Sequence, residues 1–160
     1  MKSISVIVGS KEEIYSDLVQ QLSSLIAGEN DVTANLANMS AALKATMPHY
    51  SWVGFYLVKD GELVLGPFQG KVACVRIPIG RGVCGTAAAQ RQTLVVPDVN
   101  AFPGHIACDP DSRSEIVVPL VYKDRVLGVL DVDSNRHNAF DDVDRRYLEA
   151  IGEIAAKTVY

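Results

Sequence analysis

Three stretches of this chain alternate with period two, and each puts an apolar row on one side. In Ser51–Val58 (SWVGFYLV), Val53, Phe55 and Leu57 share one face, while Trp52, Gly54 and Tyr56 share the other. Around Ile116–Tyr122, Ile116, Val118 and Leu120 fall together, and Glu115, Val117 and Pro119 take the opposite side. In Val126–Asp133, Leu130 and Val132 oppose Asp131 and Asp133. Successive side chains of a strand point to opposite faces. A sheet built from these stretches therefore has one apolar face that must be covered. Its other face carries Trp52, Tyr56, Glu115, Asp131 and Asp133. Solvent would suit the carboxylates, but an indole and a phenol four residues apart argue against a bare wet face. Carboxylates beside aromatic rings suit a cationic group such as an amino acid's ammonium.

Helical patterns supply the cover. Ile14, Leu18, Leu22 and Leu25 recur at helical spacing, and Gly28-Glu29-Asn30 ends that run. Leu36, Met39, Leu43 and Met47 mark a second helix, stopped by Pro48. A third runs from about Asp141, a candidate N-cap, to Tyr160, with Val143, Leu148, Ile151, Ile154 and Ala155 on its apolar side. Between them, Asp60-Gly61 reads as a hairpin turn into Glu62–Leu65. Val72–Pro78 and Thr93–Val96 read as further strands. Gly80, Gly82 and Gly85 bracket a turn into a short helix, Thr86–Gln90. Lys123-Asp124 closes a second hairpin. Asp98–Ser114 is a long loop, and loops of that length in a compact domain are usually functional. The order predicts an α+β sheet with helices packed on it, in a single domain over residues 1–160.

Composition removes some functions. The formal net charge of −4 and pI of about 5.3 oppose nucleic-acid binding, which needs a basic face to neutralise phosphates. No polybasic patch suits anionic lipid, and no apolar run reaches a membrane-spanning length. Glu12 and Glu13 interrupt the N-terminal apolar stretch before a signal core forms. A cytoplasmic location is expected, and the odd number of cysteines fits it. The first helix, if its apolar stripe is exposed, could pair two copies into a homodimer.

The three cysteines lie among loop signals. Cys108, in GHIACDPDSRSE, sits in the long loop between polar residues, unlike a core cysteine. Cys84, in GRGVCGTAA, nearly opens the short helix, where a helix N-terminus would favour thiolate; a small buried residue in a tight turn is the other reading. Cys74, in VACVRIP, lies within a strand pattern, so core filler competes with chemistry. A zinc site is not expected, because the usual C-x-x-C spacing is absent. His49, His105 and His137 read as surface or loop residues rather than ligands.

Taken in order, VGFYL, GPFQG, GRGVCGTAA, VPDV, GHIACD, SRSEIVVPL and GVLDVDS resemble the free methionine-(R)-sulfoxide reductases, which are stand-alone GAF-domain enzymes. The resemblance covers a core of about residues 35–155. It implies a GAF-like, six-stranded antiparallel sheet with helices on both faces and a capped pocket. It implies reduction of the R-sulfoxide of free methionine, not of methionine within a protein. By position, Cys108 matches the family's attacking thiol, Cys74 its preferred disulfide partner, and Cys84 a third, resolving or recycling thiol. Trp52 and Tyr56 match the aromatic wall around the substrate methyl. Glu115, Asp131 and Asp133 match the acidic cluster that holds ammonium and sulfoxide. No bound cofactor is implied; electrons come from thioredoxin and ultimately NADPH. A GAF module that binds a small ligand, or a thiol redox sensor without turnover, is the alternative.

Overall fold

The computed structural model describes residues 2–160. Two capped helices open it. In α1 (Lys11–Ile26) the Ser10 hydroxyl accepts from the Glu13 amide and the Glu13 carboxylate accepts from the Ser10 amide, a reciprocal capping box. In α2 (Val32–Thr46) the Asp31 side chain accepts from the Ala34 amide. Strands β1 (Trp52–Lys59), β2 (Glu62–Gln69) and β3 (Arg76–Pro78) follow, then α3 (Gly82–Gln90), β4 (Leu94–Val96) and a 3-10 turn at Val99–Ala101. The chain ends with β5 (Ser114–Tyr122), β6 (Arg125–Ser134) and α4 (Asp142–Val159), the last capped by Asp141.

The strands form one antiparallel six-stranded sheet in the order β3-β2-β1-β6-β5-β4. The three alternating stretches of the sequence are its centre. Val53, Phe55, Ile116, Val118, Leu120, Leu130 and Val132 point one way and are buried under α1, α2 and α4. Trp52, Tyr56, Val117 and Val129 point the other way, toward α3. The expected architecture of helices on both faces is what the chain adopts.

Some boundaries differ from the sequence reading. β2 continues past Leu65, the end expected from the sequence, through Gly66-Pro67 to Gln69. β3 covers only Glu62–Val64 of β2, so this end of β2 is an edge, where a proline is tolerated. Conversely, only Arg76–Pro78 of the expected strand Val72–Pro78 pairs. Val72 is 89% and Val75 61% exposed, so their apolar character reflects no burial. Cys74 is therefore a loop residue, and the core-filler reading fails.

The helical side hides a polar cluster that periodicity does not reveal. Tyr15 is fully buried in α1 and its hydroxyl donates to Asp144 Oδ1 at 2.6 Å. Tyr50 shares a hydroxyl–hydroxyl hydrogen bond with Tyr15. Lys11 Nζ reaches Asp144 Oδ2 at 2.7 Å. His49, read from sequence as a surface or loop residue, lies in the turn between α2 and β1, yet its side chain is only 7% exposed and places Nε2 3.0 Å from Asp144 Oδ1. The loop is right and the exposure is not, for a physical reason: a buried carboxylate needs donors, and the segment between α2 and β1 brings one. The stripe of α1 is thus consumed within the chain, with Tyr15, Leu18 and Leu22 buried.

Candidate functional site

The face of the sheet opposite α1, α2 and α4 carries the site. Register sets its first layer. Trp52 lies opposite Asp133 and Gly54 opposite Asp131 across β1 and β6, while Glu115 and Val117 of β5 oppose the same two aspartates from the other side. Three neighbouring strands thus gather three carboxyls and an indole onto one patch. Tyr56 follows Trp52 on the same strand face, with ring centroids 6.1 Å apart. Phe68 of β2 stacks on the far side of Trp52 at 5.2 Å. Gly54 makes that approach possible, since a Cβ there would fall 2.3 Å from the Cβ of Phe68.

Two loops roof this patch. Trp52 Nε1 donates to the Lys71 carbonyl at 3.0 Å, and the Tyr56 hydroxyl to the Cys74 carbonyl at 2.9 Å. The aromatic wall therefore also pins the loop that carries Cys74. The second loop, between the 3-10 turn and β5, carries His105, Ile106, Cys108 and Ser112. Its far end is tied down where the Arg113 amide donates to the Ser134 carbonyl at 2.8 Å. Cys74 and Cys108 form a disulfide between the loops, with Cα atoms 5.6 Å apart and a sequence separation of 34. Lys71 adds ion pairs to Asp109 and Asp111 at 3.5 and 2.6 Å. Ile106 packs over Gly82, whose φ of +62° and bare Cα leave room for it.

Cys84 sits in the first turn of α3, buried, with its S–H donating toward Glu115 Oε1 at 3.8 Å. The thiolate expectation fails here. Burial, and then the charges of Asp131 and Glu115, push the thiol well above its ordinary value; this outweighs any influence of the helix end. The carboxyls answer to the same physics. Burial, followed by repulsion from Asp131 and Asp133, raises Glu115 well above the usual carboxylate range. Burial, then Asp131, does the same to Asp133. Asp131 is pushed up by burial to about 6, held there by hydrogen bonds from its neighbours. Burial and mutual repulsion thus favour the protonated forms of these carboxyls, and a protonated carboxyl can donate to a substrate oxygen.

Cys84, Cys108, Trp52, Tyr56, Glu115, Asp131 and Asp133 all line one cavity, and Cys74 is joined to it through Cys108. The structure thus brings together every residue singled out from the sequence. It adds others. Ser112 donates to Asp133 Oδ1 at 3.1 Å. His105 places Nε2 3.9 Å from Glu115 Oε2, and burial lowers its basicity. Phe68, Ile77 and Val83 complete the apolar side. Phe68 and Ser112 lie inside the motifs GPFQG and SRSE, so position in a motif was the available signal; no periodicity marks either.

Residues 33–159 match the family model described as a GAF domain. The free methionine-R-sulfoxide reductase of Escherichia coli (strain K12) is 50% identical over 155 residues, covering 94% of each chain. The chain belongs to the free methionine-R-sulfoxide reductase family of GAF domains. A second relative, GAF domain-containing protein A of Dictyostelium discoideum, is 55% identical over 151 residues, covering 94% of this chain and 95% of its own length. Among solved structures, the free methionine-R-sulfoxide reductase of Neisseria meningitidis in complex with its substrate superposes with a TM-score of 0.96. It is 48% identical and spans 99% of this chain and 96% of its own. No helix among the described residues is long and apolar enough to cross a membrane.

Proposed function

We propose that this protein reduces free methionine-R-sulfoxide to methionine with Cys108 as the attacking thiol. The observation that carries the reading is the single cavity in which Cys108 faces aromatic rings and protonatable carboxyls together. In the reduced protein the Cys108 thiolate attacks the sulfoxide sulfur while a protonated carboxyl, Glu115 or Asp133, gives its proton to the sulfoxide oxygen. That oxygen ends on Cys108 as a sulfenic acid and methionine leaves. The Cys74 thiol condenses with the sulfenic acid, expelling water and forming the disulfide that joins the two loops. Two thiols have then supplied the two electrons that the sulfoxide accepted. Cys84, held protonated beside Glu115, is a reserve thiol in this scheme.

Recognition follows from the walls. Trp52 and Tyr56 take the methyl and sulfur, and Asp131 with its neighbours takes the ammonium. The substrate carboxylate is left to backbone N–H groups of the roofing loops. Enclosure under those loops excludes a methionine embedded in a chain. Thioredoxin or a comparable dithiol returns the electrons, drawn ultimately from NADPH, in the cytoplasm. No bound cofactor is required.

A coupled assay tests the whole reading: NADPH oxidation with thioredoxin and thioredoxin reductase, using the free R-epimer, the free S-epimer and a peptide-bound sulfoxide. Sustained turnover of the free R-epimer alone, abolished in Cys108→Ser, is the expected result. Absence of turnover, with dithiothreitol failing too, would turn the reading to a ligand-binding or redox-sensing GAF module.

A further inference from the structure

Inside the cavity, Cys84 Sγ, a carboxylate oxygen of Glu115 and a carboxylate oxygen of Asp131 all lie within 4.8 Å of one another. The sulfur is 3.8 Å from Glu115 Oε1. On the roofing loop, His105 Nε2 is 3.9 Å from Glu115 Oε2. Donor atoms around a tetrahedral zinc-like ion, with bonds of about 2.3 Å to sulfur and about 2.0 Å to nitrogen or oxygen, stand roughly 3.3–3.5 Å apart. Cys84, Glu115 and Asp131 are thus already gathered around one point, while His105 reaches the group through Glu115 and would have to swing in from the roofing loop to complete a fourfold shell. A separate observation points to an electropositive ligand. Asp131 is only 6% exposed, yet its Oδ1 has no hydrogen-bond partner among the described residues. A buried acceptor left unmatched is unusual and calls for a cation or donor.

We propose that Cys84, Glu115 and Asp131, with His105 as fourth ligand, form a binding site for a thiophilic divalent cation of the Zn2+ class, and that the bound ion blocks the substrate pocket. One sulfur, one imidazole nitrogen and two carboxylate oxygens select Zn2+ or Co2+ over Mg2+ and Ca2+, which prefer all-oxygen shells. A thiolate and two carboxylates also bring the negative charge that a divalent ion neutralises. The ligands come from α3, the roofing loop, β5 and β6, so no local spacing announces the site. Metal and substrate ammonium would compete for Asp131. The blocking half of this proposal rests on the reductase reading; the binding half does not.

With Cys74 and Cys108 joined, Cys84 is the free thiol, so the oxidised protein isolates the site from metal capture by the catalytic pair. That form is titrated with Co2+ and followed at the thiolate-to-cobalt charge-transfer band. Zn2+ affinity is read against a chromophoric chelator, with Mg2+ as control. One equivalent of Co2+ with a charge-transfer band is expected, absent in Cys84→Ser. Zn2+ affinity should drop at least about 10-fold in Cys84→Ser and in Asp131→Asn, the folding of each checked by circular dichroism. Added methionine-R-sulfoxide should weaken Zn2+ binding in proportion to its concentration. No thiolate band in the parent protein, or a band and affinity unchanged by Cys84→Ser, would overturn the site. Zn2+ affinity indifferent to the sulfoxide would overturn the block. Metal-free turnover of the reduced protein with dithiothreitol, measured separately, reports on the reductase reading alone.

Discussion

Trp52 and Asp133 face each other directly across β1 and β6, so the indole wall and the acid cluster meet on one rung of the ladder. The indole is only 5% exposed and stacks on Phe68. Trp52→Ala would open the space where a methyl and sulfur are expected to sit. It would also free the Lys71 carbonyl from its indole N–H donor. We expect a rise in KM of roughly 10- to 100-fold, equivalent to about 1.5–3 kcal/mol of lost aromatic burial. Trp52→Phe should recover part of it. Steady-state kinetics on the free R-epimer decide the matter; an unchanged KM in Trp52→Ala would remove the indole from the substrate site.

The proton donor is exposed by removing it. Glu115→Gln keeps shape and most hydrogen bonds but has no proton to give. A loss of about 10²-fold or more in kcat is expected if Glu115 is the acid. Asp133→Asn is the matched control, because both carboxyls are raised by burial. Equal, small effects from both substitutions would argue that the oxygen is protonated from elsewhere.

Stability should improve when the acid cluster is disarmed. Asp131 has a folded value raised to about 6 from an ordinary value near 3.9. A raised carboxyl contributes its stability fully below about pH 4 and loses it as pH climbs through 6. Asp131→Asn escapes that loss. Its urea midpoint at pH 8 should exceed the parent's by the equivalent of about 2 kcal/mol, and the gap should close near pH 4. Activity is expected to fall in the same variant, a trade of function against stability.

The opposite sign applies on the helical side. Asp144 is held well below the usual carboxylate range: burial alone would raise it, but hydrogen bonds from His49, Lys11 and Tyr15 prevail. A depressed carboxyl gives stability above about pH 4 and loses it as pH falls below that. Asp144→Ala strands three buried or half-buried donors and should cost about 3 kcal/mol at pH 7. The variant's acid limb should also be shallower in denaturation profiles. Because the cluster lies across the sheet from the cavity, kcat of the folded variant should hold within about twofold.

Reduction of the Cys74–Cys108 bridge should loosen the roof and little else. The loops at 71–75 and 98–113 are joined by that bridge and by the exposed ion pairs of Lys71, which are weak. Amide exchange in those loops should accelerate on reduction, while the amides of β1, β5 and β6 keep their protection. Equal protection of the loops in both redox states would mean that the roof opens by another route.

Much of this was legible in the chain because strands carry their geometry in plain alternation. Trp52, Tyr56, Glu115, Asp131 and Asp133 fell on one face by parity alone, and the register then only had to bring their strands together. Where the environment of a residue depends on distant segments, the sequence is mute. Cys74 reads as a strand residue because Val72 and Val75 flank it, yet those valines project from a loop. Cys84 reads either as a thiol activated by the helix beginning beside it or as a small buried residue, and burial, followed by the carboxyls arriving from β5 and β6, decides against activation. His49 reads as a surface or loop residue, and only the closing of α1 and α4 buries its side chain. Pairing, protonation and burial are properties of the assembled chain, and these three residues owe theirs to partners tens of positions away.

The sheet divides the interior into two apolar clusters, one beneath α1, α2 and α4 and the other under α3 and the roofing loops. Each is sealed from the other by the backbone of β1, β5 and β6. Substitutions on opposite sides share no neighbours, so their effects should add. The pocket can then drift in shape and charge without the foundation registering it. Natural variation gains a workshop whose tools can be exchanged while the building stands, because the same strands present a foundation on one face and a site on the other.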